Sequence, residues 1–272
     1  MTIQRFSLHK IHDKDQLSFN PNEYSVFKFG DDKIAQNFGE SLAQSYINEI
    51  LSKRSAIEQI VVISSPYSFI PTASYNMKNH FVNELNFWLS ENGRETVQET
   101  KIYRTITYRE DYGELSAEQR HQLIKNDHFY IDVNYLQNKL LVFLDDIKIT
   151  GSHENMIKKM IDENKINNEI HLLYFAELIN KEINPNIENH LNYYKIKSIF
   201  DLNEIIKESR FVFNTRIVKY LLIANHQDFV KFINQQTAEF QTTLFYLAIG
   251  NNYFKIDEYS TNYIYLKTLI KK

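Results

Sequence analysis

The chain has no cysteine in its 272 residues, which excludes a disulfide framework, a thiol nucleophile and a thiolate metal site. The absence of cysteine fits a reducing compartment. The sequence also lacks any run of about 18 apolar residues, and residues 1–15 lack the apolar stretch of a secretory signal. We therefore expect a soluble, cytoplasmic protein with no membrane partner.

A strong excess of positive charge is also absent. Lysine and arginine number 31 against 34 aspartates and glutamates, a net charge of −3, so we expect no nucleic-acid partner. The nine histidines show no H-E-x-x-H or comparable spacing, which argues against a histidine-based zinc site. Hydrophobic residues make up 43% and charged residues 24%, as in ordinary globular proteins, which excludes a disordered or collagen-like chain.

Continuous apolar runs typical of strands alternate along the chain with segments of helical periodicity. This order predicts an α/β fold with a mainly parallel sheet flanked by helices. The continuous apolar runs of Ile60 to Ile63 and Leu140 to Leu144 are typical of parallel strands covered on both faces. Because the strands alternate with helices, right-handed crossovers are expected. The pattern predicts strands over residues 24–29, 59–64, 100–108, 139–144 and 169–176, and helices over 33–53, 72–91 and from about 152 to 164.

The sequence pattern changes after Pro185. Residues 202–270 have a mostly helical pattern and are rich in phenylalanine and tyrosine. We expect an α/β core over residues 1–180 and a helical cap over residues 181–272 that packs on this core. Most aromatic side chains of the cap are expected to be buried, and a base-stacking role stays open for one or two of them.

Two loops are predicted to lie beyond the carboxyl ends of the strands, where open parallel sheets bind ligands: residues 64–72 and 145–154. In the second loop, Asp145 and Asp146 end a buried strand, and Thr150-Gly151-Ser152 opens a helix. Backbone N–H groups at a helix start bind phosphate. Adjacent carboxylates can accept hydrogen bonds from sugar hydroxyls or hold a hydrated Mg²⁺. The loop therefore predicts a sugar-phosphate site.

Residues 140–153 read LLVFLDDIKITGSH, which resembles the phosphoribosyl pyrophosphate signature of type I phosphoribosyltransferases. The chain is also similar to phosphoribosyltransferase-like proteins of bacterial tellurite-resistance and stress gene clusters. This second similarity lies at Ser65-Pro66-Tyr67, at residues 111–116 with Arg120, and at the 145–154 loop. The resemblance covers roughly residues 24–178.

The resemblance implies a type I phosphoribosyltransferase-like fold and an enzyme that transfers ribose 5-phosphate from phosphoribosyl pyrophosphate to an unknown acceptor. It implies a small-molecule partner and Mg²⁺, and a homodimer is a further expectation. Its implied site residues are Asp145 and Asp146 for the ribose hydroxyls and the metal, Thr150, Gly151, Ser152 and His153 for the 5′-phosphate, Ser65, Pro66 and Tyr67 for the pyrophosphate loop, and Arg109, with Arg104 and Arg120, for a mobile stretch that covers the site.

Three positions depart from the family pattern. His153 stands where the signature usually has Thr, Ser or Ala, and Ile149 stands where purine-salvage enzymes often carry an Asp. The loop after the second predicted strand has Pro66-Tyr67-Ser68 in place of an Arg-Gly or Lys-Gly element. These departures argue against a hypoxanthine or guanine enzyme and weaken the expectation of pyrophosphate handling.

Structural interpretations of the same residues stay open. The carboxylates of Asp145 and Asp146 could form a strand-end turn and a helix cap. His153 and Glu154 could be first-turn helix residues without a ligand, Tyr67 could be rim packing, and the arginines could be solvated surface charges. The functional alternatives are a non-catalytic nucleotide or sugar-phosphate sensor on the same fold and phosphorolysis of a nucleoside 5′-monophosphate.

Overall fold

The computed structural model describes residues 2–104, 129–208 and 210–270. A five-stranded sheet forms its centre, and every pairing in this sheet is parallel. The strands are β1 (Thr2–Ile11), β2 (Ile60–Ser64), β3 (Gln98–Thr100), β6 (Leu140–Lys148) and β7 (Glu169–Leu178), in the spatial order β1-β7-β6-β2-β3, and a separate antiparallel pair joins β4 (Tyr103–Arg104) to β5 (Phe129–Tyr130).

Helices flank the sheet and make up most of the C-terminal part. Those before β7 are α1 (Pro21–Lys28), α2 (Asp32–Glu49), α3 (Ala73–Glu91), α4 (Val133–Leu136) and α5 (Ser152–Glu163). Those after β7 are α6 (Ile187–Asn192), α7 (Leu202–Glu208), α8 (Thr215–Ile223), α9 (His226–Ile233), α10 (Ala238–Gly250) and α11 (Asp257–Ile270). Short 3-10 turns lie at Leu51–Lys53, Ile199–Asp201 and Tyr253–Lys255.

The central strand β6 is buried on both faces, as its unbroken apolar sequence predicts. Successive side chains of a strand point to opposite faces, so neighbouring residues enter different cores. Val142 packs in the core formed with α1, α2 and α3, and Phe143 packs in the core formed with α5. This alternation decides which helices can reach the polar residues that follow.

A third core joins the C-terminal helices to the first part of the chain. It contains Leu221 and Leu222 of α8 and Phe232 of α9, together with Val26 and Phe29 near the end of α1. The predicted helical cap over the C-terminal residues is therefore observed as helices that pack on the α/β part. The predicted α/β architecture with a mainly parallel sheet is confirmed.

Residues 24–28 lie in helix α1 and Phe29 is its C-cap, so the predicted strand over residues 24–29 is wrong. Asn20 caps α1 because its side chain accepts a hydrogen bond from the backbone N–H of Asn22, and Pro21 occupies the first turn, where its fixed φ suits a helix. The segment has the apolar residues of a strand because it is buried among aromatic rings. Phe27, for example, packs against Phe38.

Other boundaries also differ from the predictions. The polar N-terminal residues form edge strand β1, a strand that the sequence did not suggest because its solvent-facing positions are polar. Strand β6 continues to Lys148, four residues beyond its predicted end at Leu144. The predicted strand over residues 100–108 overlaps β3 only at Thr100 and includes β4, and residues 105–108 lie outside the described part.

Within the described ranges, no helix combines the length and the apolar character that crossing a bilayer requires.

Helices α2 and α3 approach each other closely at Gly39. A Cβ atom at this position would lie 2.4 Å from the carbonyl oxygen of Met77 and 2.8 Å from the backbone nitrogen of Phe81. Backbone atoms cannot move aside as a flexible side chain can. Glycine is therefore required here by packing.

We predict that Gly39→Ala lowers the free energy of unfolding by about 1–3 kcal/mol, since overpacking a helix contact outweighs the better helix propensity of alanine. Urea unfolding followed by circular dichroism measures the change. Ser41→Ala, on the exposed side of the same helix, is the control and should leave stability nearly unchanged. A Gly39→Ala variant as stable as the parent protein would show that the two helices do not touch here.

Candidate functional site

A cleft of about 180 Å³ lies beyond the carboxyl ends of β2 and β6. Its lining comes from the loops that follow these strands and from the flanking and C-terminal helices. Its charged and polar lining includes Lys28, Ser65, Asp145, Asp146, Lys148, Thr150, Ser152, His153, Glu154, Tyr174, Glu188, Thr215, Arg216 and Lys219. The structure thus brings the two loops predicted for the site together.

The turn before α5 depends on Gly151, which has φ +76°. A Cβ atom there would meet nothing nearer than Lys148 Cε at 3.6 Å, so the backbone conformation, not space, favours glycine. The Thr150 and Ser152 hydroxyls lie 2.8 Å apart. The first helical hydrogen bond runs from Asn155 N–H to Gly151 C=O, and the Ser152 N–H donates to Thr150 Oγ1 at 3.4 Å. Gly151 provides no side-chain cap, so this helix start is suited to an anion.

Asp145 is held as a carboxylate by donors on three sides. Its Oδ1 accepts from the backbone N–H of Asp146 at 2.9 Å, and its Oδ2 lies 2.9 Å from His153 Nδ1. Burial by itself would raise the pKa of Asp145. The hydrogen bond and charge of His153, with hydrogen bonds from Ser65 and Asp146, outweigh burial and hold this pKa well below its usual range.

Asp146 faces the opposite core and has different partners. Tyr24 donates to its Oδ2 at 2.6 Å, and the Lys28 ammonium contacts the same oxygen. Burial, together with the neighbouring charge of Asp145, raises the pKa of Asp146 despite the opposing pull of Lys28. Because Tyr24 and Lys28 are four residues apart on helix α1, both reach one carboxylate.

The two carboxylates lie inside β6 rather than at its end, which corrects the prediction that they end the strand. Their residues are 8% and 6% exposed. The pairing of β6 with β7 continues through Lys148 opposite Glu177, because the parallel ladder does not stop at the first polar residue. Both residues nevertheless line the cleft, so they form its floor.

Glu154 forms ion pairs that hold the protein's structure together. Arg5 of β1 reaches it through two nitrogens, at 2.8 Å and 2.5 Å, and Lys158 lies 2.5 Å away. Burial opposes ionisation, but the hydrogen bonds of Arg5 and Lys158 and the charge of Lys148 lower the pKa of Glu154 to about 2. This residue therefore fixes the first turn of α5 to the edge of the sheet.

The loop after β2 is divided between the cleft and the surrounding packing. Ser65 and Pro66 line the cleft, and Ser74 donates to the Ser65 hydroxyl at 3.4 Å. The ring of Tyr67 packs edge-on against Tyr75, with centroids 5.3 Å apart, and the Lys101 ammonium lies 3.9 Å above it. Burial lowers the pKa of Lys101, which donates to the Ser68 carbonyl oxygen at 2.6 Å.

Sequence reasoning missed the residues that the helices contribute to the cleft. Lys28 was not identified as a cleft residue because its segment was predicted to be a strand. Arg216 and Lys219 were not identified because isolated cations on a helix form no recognisable motif. Their spacing of three residues on the polar side of an amphipathic helix was the available signal. The predicted arginines Arg109 and Arg120 lie outside the described residues, and Arg104 belongs to β4.

The acidic residues of the cleft fit a magnesium ion only in part. Carboxylate oxygens are the ligands that Mg²⁺ takes from proteins, and Asp145 and Asp146 supply them. In the described part of the chain, no three His, Asp or Glu side chains cluster so that they could hold a metal ion. The donor set therefore suits an ion that takes its remaining ligands from a bound phosphate compound and water.

A family model described as PRTase ComF-like matches residues 2–266, which include the sheet and the C-terminal helices. Two crystal forms of a hypoxanthine phosphoribosyltransferase from Staphylococcus aureus are similar at 11% sequence identity. The tetragonal form matches over 56% of this chain and 76% of that chain with a TM-score of 0.33. The orthorhombic form matches over 62% and 80% with a TM-score of 0.30. No curated protein matches.

We predict that Glu154→Gln flattens the acid side of the stability profile. A carboxyl whose pKa falls from 4.5 to about 2 on folding stabilises the protein above pH 4.5, and this contribution is lost as the pH falls towards 2. The contribution amounts to up to about 3 kcal/mol, and the variant should lack it. Urea unfolding at pH 6 and pH 3 measures the difference.

The control for this comparison is Glu163→Gln on the same helix, where the glutamate side chain is 62% exposed and lies 3.7 Å from Lys159. The control should keep the pH dependence of the parent protein, because exposed pairs contribute only about 0–1 kcal/mol. A parent protein and a Glu154→Gln variant with parallel pH profiles would contradict the assigned role of Glu154.

Proposed function

The chain belongs to the ComF-like phosphoribosyltransferase family, and on that premise we propose that its cleft binds phosphoribosyl pyrophosphate and transfers ribose 5-phosphate to an acceptor, releasing pyrophosphate. The observation that carries the proposal is the pairing of two buried carboxylates with an open helix N-terminus in one cleft. A sugar phosphate has hydroxyls for the first and an anion for the second.

The 5′-phosphate is assigned to the turn at residues 150–153. The N–H groups of the first turn of α5 and the hydroxyls of Thr150 and Ser152 supply donors, and the positive end of the helix dipole favours the anion. His153 adds a ring nitrogen that is oriented by its contact with Asp145. The departure of His153 from the family pattern thus has a structural explanation: the histidine pairs with the floor of the cleft.

The ribose hydroxyls are assigned to Asp145 and Asp146. A carboxylate accepts hydrogen bonds from two neighbouring hydroxyls, and a bond to a charged acceptor is stronger than one between neutral groups. As the bond from ribose C1 to the pyrophosphate oxygen breaks, positive charge grows on the ribose and negative charge grows on the pyrophosphate. Carboxylates fixed below the ring stabilise the positive side of this charge separation.

Mg²⁺ is assigned to the same carboxylates, where it would neutralise negative charge on the pyrophosphate. Ser65 and Pro66 are assigned to the pyrophosphate side of the cleft, because they follow β2 and line the cavity next to Asp145. The protein residues in this scheme bind and orient the reactants, and transfer of this kind depends mainly on such positioning.

One observation favours a second candidate function, a non-catalytic sugar-phosphate or nucleotide sensor. Tyr24 and Lys28 already bind Asp146, so a ribose hydroxyl must share or displace these partners. Such an exchange would couple ligand binding to the position of helix α1, as a sensor requires. Catalysis and sensing differ in whether pyrophosphate is released.

We predict that Gly151→Ala weakens the binding of ribose 5-phosphate about tenfold, because alanine disfavours φ +76° and shifts the phosphate turn. Isothermal titration calorimetry measures the affinity. The matched control is Gly93→Ala, at φ +61° in open space far from the cleft, which carries a similar backbone penalty. Equal affinities in the two variants would place the phosphate elsewhere.

We predict that the full-length protein releases pyrophosphate from phosphoribosyl pyrophosphate when Mg²⁺ and a mixture of heterocyclic bases and acids are supplied. Asp145→Asn should abolish the release, and the exposed Asp162→Asn on α5 should not. Tight binding of phosphoribosyl pyrophosphate without any release would support the sensor. Absence of binding would contradict both functions.

A further inference from the structure

The loop after β2 joins the cleft to the C-terminal helices. Its two ends line the cavity, with Ser65 and Pro66 at the start and Thr72 at the end. Ser65 also hydrogen-bonds Asp145 on the floor of the cleft. The middle of the loop enters the C-terminal core, where the Ile70 side chain is fully buried. The position of the cleft-lining ends therefore depends on what holds the middle.

Asn251, directly after α10, holds the middle of this loop with its side chain. Its Oδ1 accepts from the backbone N–H of Phe69 at 3.0 Å and from that of Ile70 at 3.2 Å. Its amide nitrogen donates to the Tyr253 hydroxyl at 3.0 Å. An amide oxygen has two acceptor sites, and two consecutive N–H groups occupy them here. Because Asn251 is only 3% exposed, water cannot readily replace these hydrogen bonds.

Two further contacts hold the same part of the loop. The backbone N–H of Thr215 donates to the Pro71 carbonyl oxygen at 2.9 Å, and the Thr215 hydroxyl donates to the Ile70 carbonyl oxygen at 2.7 Å. The ring of Phe69 lies so close to Gly250 that a Cβ atom there would come within 2.0 Å of it. The loop is thus bound both at the start of α8 and at the end of α10.

The backbone of the loop needs a partner such as Asn251. Phe69 and Ile70 lie outside the helices and strands, so a regular backbone ladder does not supply acceptors for their N–H groups. Buried N–H groups are nearly always paired. Removal of the Asn251 amide oxygen would leave two donors without their acceptor, and the loop would move to satisfy them. Since Phe69 is only four residues from Ser65, we expect this movement to reach the cleft.

We propose that Asn251 is a positioning residue that, through this loop, sets the place of Ser65 and Pro66 in the cleft and thereby the affinity for pyrophosphate. The proposal rests on the function proposed above, which assigns these two residues to the pyrophosphate side. The loop has Pro66-Tyr67-Ser68 in place of a cationic Arg-Gly or Lys-Gly element. Its donors are therefore hydroxyl and backbone N–H groups, whose hydrogen bonds depend on direction and distance. A loop of this kind must be held precisely to bind an anion.

The test removes the acceptor and then restores it. Asn251→Leu keeps a similar branched shape without an acceptor, and Asn251→Ser, whose hydroxyl is too short to reach the loop, serves if leucine prevents folding. Asn251→Asp keeps an oxygen in the same place. Calorimetry with the full-length protein measures the affinity for pyrophosphate with Mg²⁺ and, separately, for ribose 5-phosphate. We expect Asn251→Leu to weaken pyrophosphate binding about tenfold, as one misplaced hydrogen bond allows, with ribose 5-phosphate binding nearly unchanged and pyrophosphate binding largely restored in Asn251→Asp.

The matched control is Asn262→Leu in α11. Asn262 is also 3% exposed, and its amide nitrogen donates to the carbonyl oxygens of Leu222 and Ala224 at 2.9 Å and 2.7 Å, near the end of α8. Its replacement removes buried hydrogen bonds from the same C-terminal core without touching the loop after β2. Both affinities should therefore stay those of the parent protein, although the stability falls.

Hydrogen exchange followed by NMR examines the loop without any ligand. The amides of Phe69 and Ile70 should exchange slowly in the parent protein, because their N–H groups are bound to Asn251. In Asn251→Leu they should exchange about tenfold faster or more, and in Asn251→Asp they should be protected again.

Equal pyrophosphate affinities in the parent protein and in Asn251→Leu would overturn the proposal and leave the proposed function intact. Equal losses in Asn251→Leu and Asn262→Leu would overturn it too, because general destabilisation would then be the cause. An equal loss of ribose 5-phosphate affinity in Asn251→Leu would show that the residue does not act through the pyrophosphate side. Failure of the parent protein to bind pyrophosphate, with the two amides still protected, would contradict the proposed function and this role together.

Discussion

Two adjacent carboxylates, Asp145 and Asp146, are buried inside the central strand, and the site is organised around the free-energy cost of keeping them there. Buried charges are tolerated when they are paired and hydrogen-bonded. Because neighbouring strand residues point to opposite faces, each carboxylate needs its own partners. His153 from α5 serves one face, and Lys28 and Tyr24 from α1 serve the other.

This arrangement links the proposed ligand site to structure on both sides of the sheet. In the proposed function, a hydroxyl that binds Asp146 would compete with Lys28, so the affinity for a sugar would reflect the cost of changing an ion pair as well as the new hydrogen bonds. The pKa of Asp146 is raised and that of Asp145 is lowered, because burial is compensated more fully on the side of His153. The turn at residues 150–153, the proposed phosphate site, follows directly, so the floor and this turn are held by β6 and α5.

The sequence predicted the parallel sheet, because buried parallel strands are continuous apolar runs, and it predicted the turn before α5, because this turn lies in a long, specific signature. It placed Asp145 and Asp146 in the loop, although both lie in β6. It failed for α1, where buried aromatic residues resemble a strand, and so it missed Lys28. It also missed Arg216, which lines the cleft because the packing of α8 in the C-terminal core fixes the position of that helix. Lys28 and Arg216 are 188 residues apart and line the same cleft because of tertiary packing, which no local sequence pattern records.

The most direct test of this account is a crystal structure of the protein with ribose 5-phosphate bound. We expect the phosphorus atom over the N–H groups of residues 151–153, and ribose hydroxyls within hydrogen-bond distance of Asp145 and Asp146, with Lys28 moved or shared. A ligand bound elsewhere while this turn is ordered, accessible and empty would contradict it.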